Sequence, residues 1–179
     1  MLTVMNNISL NIAKCEYEYI EKNKKCPDEV DLKYPDKNNK KYCIYHTHNN
    51  DKGPVFNVKI LNTIHNITHK SVLYYENMNN LRRLGDEERE QKGIEYQQDN
   101  TLNYEGYYFP DEIEFDHIPV DIILDHSVFK KKVTFKSFHG AASLKNILFE
   151  NEVEFRESHF NYGLDIRETV FNPDNYIRI

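Results

Sequence analysis

Residues 113–172 repeat with a period of twenty, and that period constrains the fold more than any other feature of the chain. In rows of twenty they read IEFDHIPVDIILDHSVFKKK, VTFKSFHGAASLKNILFENE and VEFRESHFNYGLDIRETVFN. Phe115, Phe135 and Phe155 share one column, and Leu124, Leu144 and Leu164 another. Phe129 and Phe149 share a third, which the last row misses by two residues, offering Phe171. Within a row a large apolar residue comes about every five positions: Phe115, Val120, Leu124, Phe129. A smaller or apolar one stands two before each: Ile113, Ile118, Ile122, Ser127. Neither a 3.6-residue helix nor a two-residue strand gives this spacing. A square solenoid does: each side is five residues long and turns two side chains inward, and four sides complete a coil of twenty. An ordinary β-sandwich would show alternation and turn signals rather than a fixed period.

Two details fit the same register. At Gly140 the large inward position is empty, and Phe138, two before it, is large where its equivalents are small, so the local volume stays filled. Outward charges also recur at twenty: Asp125 with Lys145 and Asp165, Lys130 with Glu150, Lys132 with Glu152, and Asp116 with Lys136. Stacked coils would bring such pairs to within about 5 Å.

The units VEFRESHF, ASLKNILF and IILDHSVF resemble those of the pentapeptide-repeat family, whose units read A-(D/N)-L-x-x or Phe-rich variants of it. The resemblance spans residues 111–171 and implies a right-handed quadrilateral β-helix. Spacings of four (Val120 to Leu124, Gly140 to Leu144) and six (Phe129 to Phe135, Phe149 to Phe155) depart from strict fives but cancel within each coil. In the third coil Leu164 and Ile166 compete for one inward slot.

Solenoid ends need covering. LNYEGYYFP (102–110) is aromatic and closes with Pro110, so Tyr104, Tyr107, Tyr108 and Phe109 are expected to cover the first coil. At the other end Pro173 stops the repeat. Ile177 and Ile179 either fold back over the last coil or meet a second copy across a two-fold axis, as the resemblance implies, or the solenoid continues in a longer chain.

All three cysteines lie in the first 43 residues and a histidine follows: Cys15-x10-Cys26-x16-Cys43-x2-His46. Zinc takes four N or S ligands at tetrahedral corners, and a C-x2-H pair on a turn supplies two of them. The intervening DEVDLKYPDKNNKK has little to form a core, so a metal is the expected organiser. The expected ligands of a structural zinc are Cys15, Cys26, Cys43 and His46, with His48 competing for the fourth place. Three unconnected thiols are the alternative. KKYCIYH (40–46) is also similar to an N-terminal segment of some pentapeptide-repeat proteins, where spaced cysteines end in K-Y-C-I-F-H; that resemblance implies a zinc-type cap without a catalytic role.

Residues 54–92 carry the only helical periodicity. Val58, Leu61, Ile64 and Val72 with Phe56, Ile60 and Ile67 are expected on a buried face, and MNNLRRLGDEEREQK reads as a second helix interrupted near Gly85. His65 and His69 are four apart, a spacing that can clamp a metal on a helix. Residues 93–103 read as a loop. The expected organisation is therefore mainly β with a helical middle: a Cys/His zinc-type module over 1–53, one or two helices and a linker over 54–103, and a β-helix of about three twenty-residue coils over 104–179.

The chain of 179 residues has a net charge of −6, which argues against non-specific binding to DNA or anionic membranes. No segment approaches the roughly 20 apolar residues of a membrane span. The first residues do not form a secretory signal, so a cytoplasmic protein with reduced cysteines is expected. No G-x-S-x-G, H-E-x-x-H, Walker A or G-x-G-x-x-G motif occurs, and the six glycines are too sparse for a phosphate loop. The expected function is a non-catalytic scaffold that engages an unidentified protein partner through its solenoid walls.

There are two rivals. Some pentapeptide-repeat proteins mimic acidic B-DNA and occupy the DNA groove of topoisomerases. Residues 111–179 hold thirteen Asp/Glu and eight Lys/Arg, the right sign. Three coils of about 4.8 Å, however, match only about four base pairs. The second rival is a zinc-dependent nucleic-acid module at residues 22–41, where seven Lys stand among Asp28, Glu29, Asp31 and Asp36. It lacks a basic recognition helix to follow it.

Overall fold

Three of the four five-residue sides seen in the sequence become short strands in a computed structural model of the chain, and they stack in register from coil to coil. The structure describes residues 13–20, 24–80, 85, 87–88, 90–92, 100–160, 163–172 and 177–178, with backbone only for 75–80 and 178. Two strands pair antiparallel near the N-terminus, β1 (Glu18–Tyr19) and β2 (Lys24–Lys25). A short 3₁₀ turn (Asn50–Lys52) leads into one long helix, α1 (Gly53–Asn80). The solenoid follows.

Three walls of the solenoid are parallel ladders of four strands. The first stacks β3 (Leu102–Asn103), β6 (Ile122–Ile123), β9 (Ala142–Ser143) and β12 (Leu164–Asp165). The second stacks β4 (Tyr108–Phe109), β7 (Val128–Phe129), β10 (Leu148–Phe149) and β13 (Val170–Phe171). The third stacks β5 (Ile113–Asp116), β8 (Val133–Lys136), β11 (Val153–Arg156) and β14 (Ile177–Arg178). The fourth side holds no strand among the described residues, yet the His139 and His159 amides donate to the Ile118 and Phe138 carbonyls at 3.0 and 2.7 Å.

Ring stacks run through the core. Phe109, Phe129, Phe149 and Phe171 form one column with centroids 4.3, 5.1 and 5.2 Å apart. Phe115, Phe135 and Phe155 form another at 5.2 and 5.1 Å. Parallel coils repeat at strand spacing, which is close to ring-stacking distance, so one residue type can fill a whole column. The corners repeat too. Gly106, His126, Asn146 and Glu168 all have φ between 55° and 71°, and His117, Ser137 and Glu157 between 49° and 52°. A sharp corner demands this left-handed backbone, and only the first is a glycine.

Gly140 has a second reason to be small. A Cβ there would stand 2.2 Å from the Val120 carbonyl oxygen, inside the backbone of the preceding coil. Phe138, fully buried, fills the space beside it as the sequence implied.

The outward columns hold in the first coils. Lys130 pairs with Glu150, Lys132 with Glu152 (3.5 Å), Lys136 with Asp116 (3.4 Å) and Lys145 with Asp125 (3.2 Å). Asp165 departs from its expected column. Between Phe160 and Gly163 the offset passes from 20 to 22, so Leu164 pairs with Ala142 and Asp165 with Ser143. Ile166 therefore aligns with Leu144, and Asp165 pairs with Arg167 at 2.7 Å instead. The same shift brings Phe171 onto Phe149.

The N-terminal end is covered differently from expectation. Tyr104, Tyr107, Tyr108 and Phe109 are sides of the first coil itself, whose ladder begins at Leu102, rather than a lid over it. The lid is made by the Cys/His module and α1. Ile44, Tyr34, Phe56, Ile60 and Ile64 join one continuous core with the solenoid. Asn57 and Thr68 on α1 donate to the Glu112 and His117 carbonyls at 3.0 and 3.1 Å, satisfying acceptors of the first coil.

On α1 the buried stripe is Phe56, Ile60, Ile64 and Ser71, with Ile67 half-buried. Val58, Leu61 and Val72 are exposed, against expectation, because the face meeting the first coil is set by the 56-60-64 line. Of the expected second helix, residues 78–80 are instead the end of α1, and 87–88 and 90–92 are helical; 81–84, 86 and 89 lie outside the described residues. Ile177 extends the third wall by one rung beside Val153, and Ile179 lies outside the described residues. No helix among the described residues is long and apolar enough to cross a membrane.

Candidate metal centre

Three separated chain segments deliver the four residues. Cys15 sits in an extended stretch held by the Cys15 amide donating to Asp28 carbonyl (2.9 Å). Cys26 follows β2, its amide donating to the Tyr17 carbonyl (2.8 Å). Cys43 opens a tight turn whose closing amides, His46 and Thr47, both donate back to the Cys43 carbonyl at 3.2 and 3.0 Å. That turn swings His46 onto the same side as Cys43.

The ligand atoms all lie within 4.8 Å of one another. Cys26 and Cys43 Sγ are 3.8 Å apart, and His46 Nδ1 is 3.7 Å from Cys15 Sγ and 3.2 Å from Cys43 Sγ. A tetrahedral zinc with Zn–S of about 2.3 Å and Zn–N of about 2.0 Å needs edges of roughly 3.5–3.8 Å, so the cluster has the size of that coordination sphere. All four side chains are at most 2% exposed, and none of the cysteines forms a disulfide.

The surroundings orient the cluster. His46 Nε2 faces the Glu105 carbonyl at 3.3 Å. A carbonyl only accepts, so Nε2 carries the proton and Nδ1 presents its lone pair to the sulfurs. Tyr17 stacks flat on the imidazole, centroids 3.9 Å apart. The Cys43 amide donates to Cys15 Sγ at 3.2 Å. Hydrogen bonds from the Cys26 and Cys43 thiols push the Cys15 thiol down, while sharing with Cys15 pushes Cys26 up and Cys43 up to about 11. The trio favours one thiolate first, and a dication in the centre would displace the remaining thiol protons.

The histidines are now sorted. His46 belongs to the cluster; His48 does not, for it stacks on Tyr108 at 4.7 Å and its amide donates to Asp36. His65 and His69 are exposed and join no metal-sized cluster among the described residues. Sequence reading missed Glu105, Tyr17 and Lys52. Glu105 is 2% exposed, and its Oε1 accepts the Ile20 amide at 2.8 Å. Gly106 was the available signal: a Cβ there would lie 2.0 Å from Tyr17.

No family model, curated protein or solved structure matches this chain.

The Cys3His cluster and the solenoid are one unit. The Tyr108 amide donates to the Tyr45 carbonyl (3.1 Å), as the Val128 amide does to Tyr107 one coil later (2.9 Å). The Cys43–His46 turn thus adds a partial rung to the second wall, and Tyr45 stacks on Tyr107 at 4.9 Å.

Proposed function

We propose that this chain is a non-catalytic scaffold of the pentapeptide-repeat type, with a structural zinc at Cys15, Cys26, Cys43 and His46 that pins a cap onto the first coil. The observation carrying the reading is the buried four-ligand cluster wired to the solenoid through His46 and Glu105. Four protein ligands leave no open position for a reactive water, which supports a structural metal. The flat walls and their in-register ion pairs supply a surface for a protein partner in the cytoplasm.

The open C-terminal end belongs to the same reading. Phe155, Phe160, Leu164, Ile166, Phe171 and Ile177 line an apolar hollow of about 460 Å³, with Ile166 and Val170 about half exposed. A second copy meeting this end would form a homodimer. The walls favour a scaffold over a DNA mimic, because Asp116, Asp125, Glu150, Glu152, Glu154 and Asp165 each sit beside a Lys or Arg that cancels their charge.

Native mass spectrometry of the reduced protein tests the proposal. One zinc per chain, lost in Cys43→Ser, is the expected result, with a dimer that Ile166→Asp converts to monomer. A metal-free wild-type protein would overturn the zinc reading, and a wild-type monomer the dimer. Inhibition of topoisomerase supercoiling at micromolar protein would restore the mimic.

A further inference from the structure

Lys52 is among the largest fully buried side chains of the described residues, and its exposure is 0%. Burial of an ammonium is costly unless its donors and its charge are both answered. Two of its three donors are answered: Nζ donates to the Ile44 carbonyl at 2.6 Å and to the Tyr45 carbonyl at 3.2 Å. The rings of Phe56 and Tyr108 lie 4.6 and 5.3 Å from Nζ and add cation–π attraction. The charge is not answered by a carboxylate: among the described residues none forms an ion pair with Lys52. Asp36, the nearby buried acid, spends its oxygens on the Asn38 and His48 amides instead.

The two carbonyls that Lys52 grips belong to Ile44 and Tyr45, the two residues between Cys43 and His46. Gripping both fixes the turn that holds two of the four cluster residues together. A dication bound by three thiolates and one neutral imidazole also carries one net negative charge, which a buried cation would balance.

We propose that Lys52 is the built-in counter-charge and positioning residue of the Cys15, Cys26, Cys43 and His46 centre, holding the Cys43–His46 turn by its carbonyls while its ammonium balances the tris-thiolate metal complex. This rests on the metal reading given above. Burial pushes the Lys52 amine down to about 7. An amine that only filled space would be replaceable by an apolar chain of the same length.

The test is a double-mutant cycle read by zinc and cobalt affinity, measured by competition with a chelator. In the wild-type background Lys52→Met should weaken metal binding at least tenfold, within the range of about 10–100-fold known for groups that support ligands from behind. It should also shift the thiolate-to-cobalt absorption. In a Cys15→His background the centre is a neutral Cys2His2 site, so only the grip on the carbonyls is lost and Lys52→Met should cost at least threefold less than in the wild-type background. An equal cost in both backgrounds would overturn the counter-charge role, and unchanged affinity in the wild-type background would overturn the proposal altogether. If Lys52→Met does not fold, Lys52→Gln keeps a donor for the carbonyls while removing the charge, and the same cycle applies. A wild-type protein that binds neither zinc nor cobalt would sink the metal reading itself, an outcome visible before any variant is made.

Discussion

His46 faces the Glu105 carbonyl with Nε2 at 3.3 Å while its Nδ1 lies 3.2 Å from Cys43 Sγ, so a single imidazole joins the Cys3His cluster to the first corner of the solenoid. Removing the metal should therefore loosen the first coil before the others. Chelation is expected to raise hydrogen exchange at the Tyr108 amide, which donates to Tyr45, and to leave the Leu148 and Glu150 amides protected. Release of structural zinc typically forfeits several kcal/mol, and a loss of about 4 kcal/mol lowers Tm by about 10 °C in a chain of this size. Uniform loss of protection through all coils would show that cap and solenoid unfold together.

Gly140 tests the spacing between coils. In Gly140→Ala the new methyl meets the Val120 carbonyl carbon and oxygen at 2.5 and 2.2 Å, and backbone cannot swing aside as a side chain can. The expected cost is about 1–3 kcal/mol or more, read from the urea midpoint. A change below about 0.5 kcal/mol, the range of an ordinary surface substitution, would mean the coils separate easily.

The phenylalanine columns predict a gradient along the axis. Phe135 lies between Phe115 and Phe155 with no exposed surface. Phe135→Ala should cost about 3–5 kcal/mol. Phe171 is half-buried and, among the described residues, stacked on Phe149 alone, so Phe171→Ala should cost less than half as much. Equal losses, measured by denaturant unfolding, would place the last coil in the same cooperative core.

Acid should weaken the third wall. Arg156 first, and Lys132 with it, hold the Glu154 carboxyl down at about 2, against an ordinary value of 4.5; Arg167 similarly holds Asp165 at about 2. A depressed folded value means the unfolded chain takes up the proton more readily. The stabilisation is complete above pH 4.5 and is lost as pH falls toward 2. Urea midpoints between pH 5 and 2 should fall with a shallower slope in Glu154→Gln than in wild type. Identical slopes would show that the Lys132–Glu154–Arg156 cluster is too well solvated to matter.

The pattern of Phe115, Phe135 and Phe155 was enough to place the solenoid, because a parallel stack repeats one local environment and so writes its period directly into the chain. The crowding of Cys15, Cys26, Cys43 and His46 into one window likewise pointed to the cluster, since metal ligands are few in kind. The choice of His46 over His48 was not legible there. It depends on the turn closed at the Cys43 carbonyl, which aims one imidazole inward and leaves the other on Tyr108.

What the sequence determined by itself was the coil length and, as far as the twenty-residue offset holds, the inward columns and the ion pairs between rungs, all properties that depend on neighbours at a fixed separation. Tertiary structure alone decided the rest. It turned the aromatic segment at 104–109 from a lid into the first coil, chose Phe56, Ile60 and Ile64 over Val58 and Leu61 as the buried face of α1, and sealed Lys52 beneath the Cys43–His46 turn. Each of those outcomes is a contact between segments far apart in the chain. Only the packed core sets which faces meet and which charges lose their water.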